Sequence, residues 1–166
     1  MITSLDNDKV RHVRALQARR RLRQRERQAV FEGVRLVEEA LRAGCAPALV
    51  FHTEAAAQDA RVAQLLARCR ALGVPCTPVS EAVMAACSDT ESPQGVLAVV
   101  GLPAIPWPER LTLALIVDGV RDPGNLGTML RTALAAGVEG VLLAPGTVDP
   151  SNGKTVRASM LSLIHI

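Results

Sequence analysis

Residues 113–137 read LALIVDGVRDPGNLGTMLRTALAAG, an apolar run, a turn and an amphipathic run that follow one another without a gap. The spacing predicts strand, loop, helix. Residues 113–117 are continuously apolar and partly β-branched, as a strand covered on both faces of a parallel sheet requires. The loop from Asp118 to Asn125 gathers Asp, Gly, Pro and Asn, the residue types that punctuate structure. Beyond it, Leu126, Leu130, Ala133, Leu134 and Gly137 recur at helical spacing and define one apolar face. Asn125 is the expected cap of that helix, whose first N–H groups lack partners and attract anions. Gly127 and Arg131 stand four residues apart, so the guanidinium is expected to project back over a residue without a side chain, leaving room for a ligand.

The string Asn125-Leu-Gly127-Thr-Met-Leu-Arg131-Thr132-Ala133 after a buried strand, with Asp118 ahead of it, resembles the first signature of the SpoU or TrmH group of RNA ribose methyltransferases, within the knotted SPOUT superfamily. The later stretch Asp149-Pro-Ser-Asn-Gly-Lys154-Thr-Val-Arg157-Ala-Ser159 is similar to the segment that precedes the second signature. The resemblance implies S-adenosylmethionine as cofactor and a ribose 2′-hydroxyl as methyl acceptor. Ribosomal RNA is the first expectation for the substrate and transfer RNA the second. It assigns Arg131 a catalytic role, often as the base. An arginine keeps its proton above pH 12, so orienting the hydroxyl and binding an adjacent phosphate is the role expected here. Asn125 would position the same nucleotide, and Lys154 and Arg157 would hold flanking phosphates. Family members dimerise through the catalytic domain, so a homodimer is expected of the complete enzyme.

Across its 166 residues the chain is 49% apolar, enough for a substantial core in one domain or two small ones. Aromatics make up only 2%, so base stacking is not its main hold on nucleic acid. The net charge of +3 is modest but unevenly placed. Residues 3–27 read as a single basic helix with Val10, Val13, Leu16 and Arg20 on successive turns. Arg14, Arg19, Arg20, Arg21, Arg23, Arg25 and Arg27 give it a dense positive face, and over residues 14–27 Glu26 is the lone acid. Such a face favours a polyanion by releasing counterions and carries no sequence information. Arg19, Arg20, Arg21, Arg23 and Arg25, with Lys154 and Arg157, are therefore the expected RNA contacts.

From Ala29 onward strands and helices alternate: a strand, Gly33 and a helix to about Ala43; a strand at 49–52; an alanine-rich helix over 54–72 with Val62, Leu65, Leu66 and Cys69 inward; a strand near Val79; a short helix at 81–86; and a strand at 95–100. This order predicts a three-layer α/β sandwich. With Phe31-Glu-Gly33 early and Ser92-Pro-Gln-Gly95 late, it is similar to the substrate-binding domain that precedes the catalytic domain in many SpoU-type enzymes, whose fold resembles an RNA-binding ribosomal protein. The glycines themselves are read as conformational. Three prolines within residues 101–110 mark a linker. The expected organisation is thus an RNA substrate-binding domain over 1–100, a Pro-rich linker over 101–110 and the first part of a SPOUT domain over 111–160.

After Met160 the resemblance stops. The second and third signatures, which form the knot and hold the cofactor, are absent, so the expected fold is a SPOUT domain without its knot and no cofactor-binding residue is assigned. Residues 161–166, LSLIHI, match nothing expected and coincide with one reading frame of a sequencing-library transposon end. The expectation is a truncated gene fragment with an artificial tail, inactive alone.

Cys45, Cys69, Cys76 and Cys87 form no C-x-x-C pair, which indicates neither a zinc site nor a disulfide framework, and no metal is expected. There is no leader ending in a small-residue cleavage site and no apolar run long enough to span a bilayer, so the expectation is a cytoplasmic protein. Two rival functions remain. Gly153-Lys154-Thr155 after an apolar strand is similar to a P-loop, but Val148 stands where that motif needs a glycine. The other rival is a non-enzymatic RNA-binding module.

Overall fold

The computed structural model describes residues 1–160 and 162; of the expected artificial tail only Ser162 is among them, and the rest of that tail lies outside the described residues. The chain falls into two compact units, Met1–Leu102 and Pro103–Ile166.

The first unit is built on four strands: β1 (Gln28–Glu32), β2 (Pro47–His52), β3 (Cys76–Pro78) and β4 (Val96–Gly101). They stand in the order β1-β4-β2-β3, with β4 antiparallel to both neighbours and β2 parallel to β3. Alternate strand residues face opposite sides. Val30, Phe51, Leu97 and Val99 meet α1 (Asp8–Ala18) and α6 (Glu81–Cys87) in one cluster that includes Val10, Val13, Leu16, Val83 and Met84. On the other side α3 (Val34–Arg42) packs on β1, β2 and β4, and α5 (Ala60–Ala71) on α3 and β3. Leu36, Val37, Ala40, Val62, Leu65, Leu66 and Cys69 are the buried apolar residues of those two helices. The unit is thus a three-layer α/β sandwich.

Two helices predicted as single are each divided. The basic helix ends at Ala18, Arg19 is extended (φ −118, ψ 103), and α2 (Arg20–Glu26) begins afresh. The alanine-rich helix breaks into α4 (Glu54–Ala57) and α5, because the Asp59 carboxylate accepts from the N–H groups of Arg61 and Val62 and starts a new helix. At the end of the unit, β4 runs through Gly101, which belongs to the sheet, and the Leu102 N–H just beyond it donates to the Arg27 carbonyl.

In the second unit residues 103–113 carry no helix or strand. Two parallel strands follow, β5 (Ala114–Val117) and β6 (Gly140–Leu143), separated by α7 (Pro123–Ala135), and then α8 (Gly153–Ser159). Val117, Leu126 and Leu130 form the small core, with Leu115, Val141 and Leu143 against it. The expectation that the first strand is covered on both faces is corrected: α7 lies on one face only, and on the other Ile116 is 70% exposed beside Leu142.

Candidate active site and nucleic-acid interface

The helix expected to start after Asn125, at Leu126, begins three residues earlier. Pro123 occupies its first position, where the missing N–H costs nothing, and the Asp122 carboxylate caps it by accepting from the Asn125 N–H at 2.7 Å. Asn125 is therefore inside the first turn, and the expectation that it is the cap is corrected. Its side chain is exposed.

Gly127 is buried and does not leave space for a ligand. A Cβ there would meet the Ala158 methyl and lie 2.8 Å from both the Ser159 nitrogen and the Thr155 carbonyl oxygen. Its missing side chain is what lets α7 and α8 touch backbone to backbone. The loop before α8 is fastened from within. Buried Asp149 accepts from the Ser151 N–H and hydroxyl, and the Thr155 hydroxyl donates to the Asp149 carbonyl. The Asn152 side chain caps α8 on the Lys154 N–H at 2.9 Å. The Gly-Lys-Thr triplet is thus the first turn of a capped helix packed on α7, behind a loop closed by its own hydrogen bonds.

Arg131 stands one turn beyond Gly127, exposed, and makes no hydrogen bond or ion pair with the described residues. Asn125 is six residues away, about 9 Å along the axis and about 120° around it, so the two share a helix but not a stripe. Lys154 and Arg157 are three apart on α8, the first exposed and the second half-buried. Through the Gly127 contact the four residues stand on one closely packed helix pair.

In the first unit, Arg19, Arg20, Arg21 and Arg25 are exposed as expected, Arg25 donating to Glu26 at 3.0 Å. Arg23, expected on the same positive face, turns inward instead. Arg23 is 5% exposed, and its Nη1 donates to the carbonyls of Leu16 at 2.6 Å and Gln17 at 2.8 Å. These are the last carbonyls of α1, which lack partners within the helix and attract a cation. Arg23 as an expected RNA contact is thus corrected to an intramolecular cap; sequence spacing missed it because the break at Arg19 shifts the register.

Sequence reading also missed Glu32. Its buried carboxylate accepts from the Ser88 hydroxyl, the Thr90 hydroxyl and the Asp89 N–H at 3.1 Å, tying the end of β1 to the loop over 88–90. The adjacent glycines are conformational, as read: Gly33 (φ +97) and Gly95 (φ +70) adopt backbone angles that disfavour a side chain, and a Cβ on either would lie 2.7 Å from Gln94 or Thr53 oxygen. The thiols of Cys69 and Cys87 are pushed up to about 11 by burial, which leaves them poor nucleophiles. Among the described residues no helix is long and apolar enough to cross a membrane.

A groove of about 300 Å³ lies beside α7, lined by Leu115, Met129, Ala133 and Val138 with Thr128 and Thr132. It does not fit S-adenosylmethionine, whose carboxylate, ammonium, ribose and adenine edge need polar partners.

Comparison with known proteins agrees with this organisation. Residues 7–98 match the MRM3-like substrate binding domain and residues 112–166 the SpoU rRNA Methylase family. The chain belongs to the MRM3-like substrate binding domain family through its first unit, and its second unit carries the match to the SpoU rRNA methylases. It is 39% identical to the 23S rRNA (guanosine(2553)-2′-O)-methyltransferase RlmP of Bacillus subtilis, over 99% of this chain and 62% of that protein. It is 34% identical to the human mitochondrial rRNA methyltransferase 3, over 85% of this chain and 34% of that protein. Among solved structures, the AdoMet-bound rRNA methyltransferase from Sinorhizobium meliloti superposes with a TM-score of 0.80 at 34% identity, covering 99% of this chain and 62% of the other. The SpoU methyltransferase AviRb from Streptomyces viridochromogenes, in complex with AdoMet, does so with a TM-score of 0.82 at 26% identity, over 95% and 60%. The chain thus spans about three fifths of the bacterial proteins it matches.

Proposed function

We propose that this chain supplies the RNA-binding and acceptor-positioning part of an S-adenosylmethionine-dependent methyltransferase that modifies a ribose 2′-hydroxyl, in ribosomal RNA first and transfer RNA second. The observation that carries the reading is Arg131: an exposed guanidinium without a hydrogen-bond or ion-pair partner among the described residues, on a helix seated against α8 by Gly127, within the stretch that matches the SpoU family. The cofactor would supply the methyl group, and the contributions of this chain concern the acceptor. A guanidinium that never deprotonates donates hydrogen bonds to the 2′-oxygen and the neighbouring phosphate and fixes their direction, and alignment of that kind supplies much of the rate in a displacement at carbon. Asn125 holds the same nucleotide from the first turn of α7, and Lys154 and Arg157 hold flanking phosphates from α8. The first unit grips the RNA through Arg19, Arg20, Arg21 and Arg25.

The 166 residues alone are inactive in this reading, since the matched bacterial proteins are longer than the matched stretch. The enzyme is a cytoplasmic homodimer, for which the four unpaired thiols and the uncovered apolar face of β5 and β6 are the supporting features.

The test is Arg131→Ala in the full gene product, assayed for 2′-O-methyl nucleosides after digestion of the RNA. Turnover is expected to fall about 100-fold or more while RNA affinity stays within about threefold, the pattern of a lost transition-state donor. The 166-residue chain run alongside should yield no methylated nucleoside. A variant with wild-type turnover sinks the role of Arg131, and RNA binding without any 2′-O-methylation leaves a non-enzymatic RNA-binding module.

A further inference from the structure

The elbow between α1 and α2 carries a positive surface whose shape is fixed from inside. Helix α1 is anchored to the sheet by Val10, Val13 and Leu16, all fully buried, and Leu22 of α2 packs against the same cluster. Between them Arg19 is extended, which would leave the last carbonyls of α1 without partners. Arg23 reaches back to occupy two of them and is buried in doing so. With Leu22 and Arg23 turned inward, Arg20, Arg21 and Arg25 face solvent on α2, joined by Arg14, Arg19 and Arg27.

What this surface lacks is equally defined. Both phenylalanines, Phe31 and Phe51, are fully buried, the chain has no tyrosine, and Trp107 belongs to the other unit. His12, the imidazole nearest the elbow in sequence, stands 3.3 Å from the Gln28 side chain and 3.5 Å from Glu26. The first unit therefore exposes no aromatic ring of Phe, Tyr or Trp on which an unpaired base could stack. Single-strand binding draws on such stacking, whereas double-helical RNA keeps its bases stacked internally and is held through phosphates and shape.

We propose that the α1–α2 elbow docks the backbone of double-helical RNA through its exposed arginines, and that Arg23 is the positioning residue that sets the elbow without touching the RNA. The proposal rests on the reading that this chain acts on RNA, and adds which form of RNA the first unit holds and how.

The test measures binding of the full chain to a 20-base-pair RNA hairpin and to a single-stranded oligouridine of equal length across a salt series, well below the melting temperature. The hairpin should bind at least about tenfold more tightly, with a slope of log K against log salt near −4, as about four to five phosphate contacts give. Arg20→Gln/Arg21→Gln/Arg25→Gln should lower the magnitude of that slope by about three and leave melting unchanged. Arg23→Gln, still folded by circular dichroism, should bind the hairpin about tenfold more weakly, and Arg23→Lys, which can donate to both carbonyls, should restore most of it. A merely structural Arg23 would lower melting and leave affinity in the folded range untouched, which overturns its assignment. A triple variant with wild-type slope, or an equal grip on oligouridine, overturns the elbow while RNA binding stands. Failure of the wild-type chain to bind either RNA at low salt overturns the RNA reading itself.

Discussion

At Gly127 and Arg131 the two halves of one motif do different work. The sequence spacing put a guanidinium over a glycine and suggested space between them; the space is filled by Ala158 and the α8 backbone. No local pattern could reveal this, because the partner lies some thirty residues further along. Gly127→Ala should therefore destabilise the second unit by about 1–3 kcal/mol, since the added methyl meets backbone atoms that cannot rotate away. Urea denaturation followed on a probe in that unit checks it, and an unchanged midpoint would mean that α7 and α8 do not pack as described. Arg23 teaches the complementary lesson. Charge made it look like its neighbours, and only the carbonyls of Leu16 and Gln17 distinguish it.

Among elements, the alternation of apolar residues made the strands of the first unit legible, and the inward set of α5 was readable from its spacing. The breaks were not, because Arg19 and Asp59 interrupt helical runs without glycine or proline. Helices α3 and α5 are joined by an ion pair that no pattern marks: Arg61 donates to both carboxylate oxygens of Glu38, at 2.9 and 2.5 Å. The hydrogen bond from Arg61 holds the Glu38 carboxyl below its ordinary value of 4.5, against the opposing effect of burial. A depressed folded value means that the ionised form stabilises the fold above the unfolded value, and that this contribution is lost as pH falls below 4.5 through the folded value. The urea midpoint should drop across that window in the wild type and less steeply in Glu38→Gln. Equal pH dependence in the two would remove the pair from the account.

For the whole molecule, the division into two units was legible in the prolines, and the family in the Asn125 to Ala133 string. The burial of β5 was not, because an apolar run says that a strand belongs in a core and does not say which elements cover it. Within the described residues, the first unit presents arginines on a rigid elbow and the second presents Arg131, Asn125, Lys154 and Arg157 on one helix pair. In the function proposed above, the arginines hold RNA by its backbone and the helix pair orients one ribose. The most direct test is to delete the gene in the cells that carry it and to map ribose 2′-O-methylation across ribosomal RNA. The account predicts that one ribose loses its methyl group, and that the wild-type gene restores it while Arg131→Ala does not. An unchanged ribosomal methylation profile after deletion would contradict it.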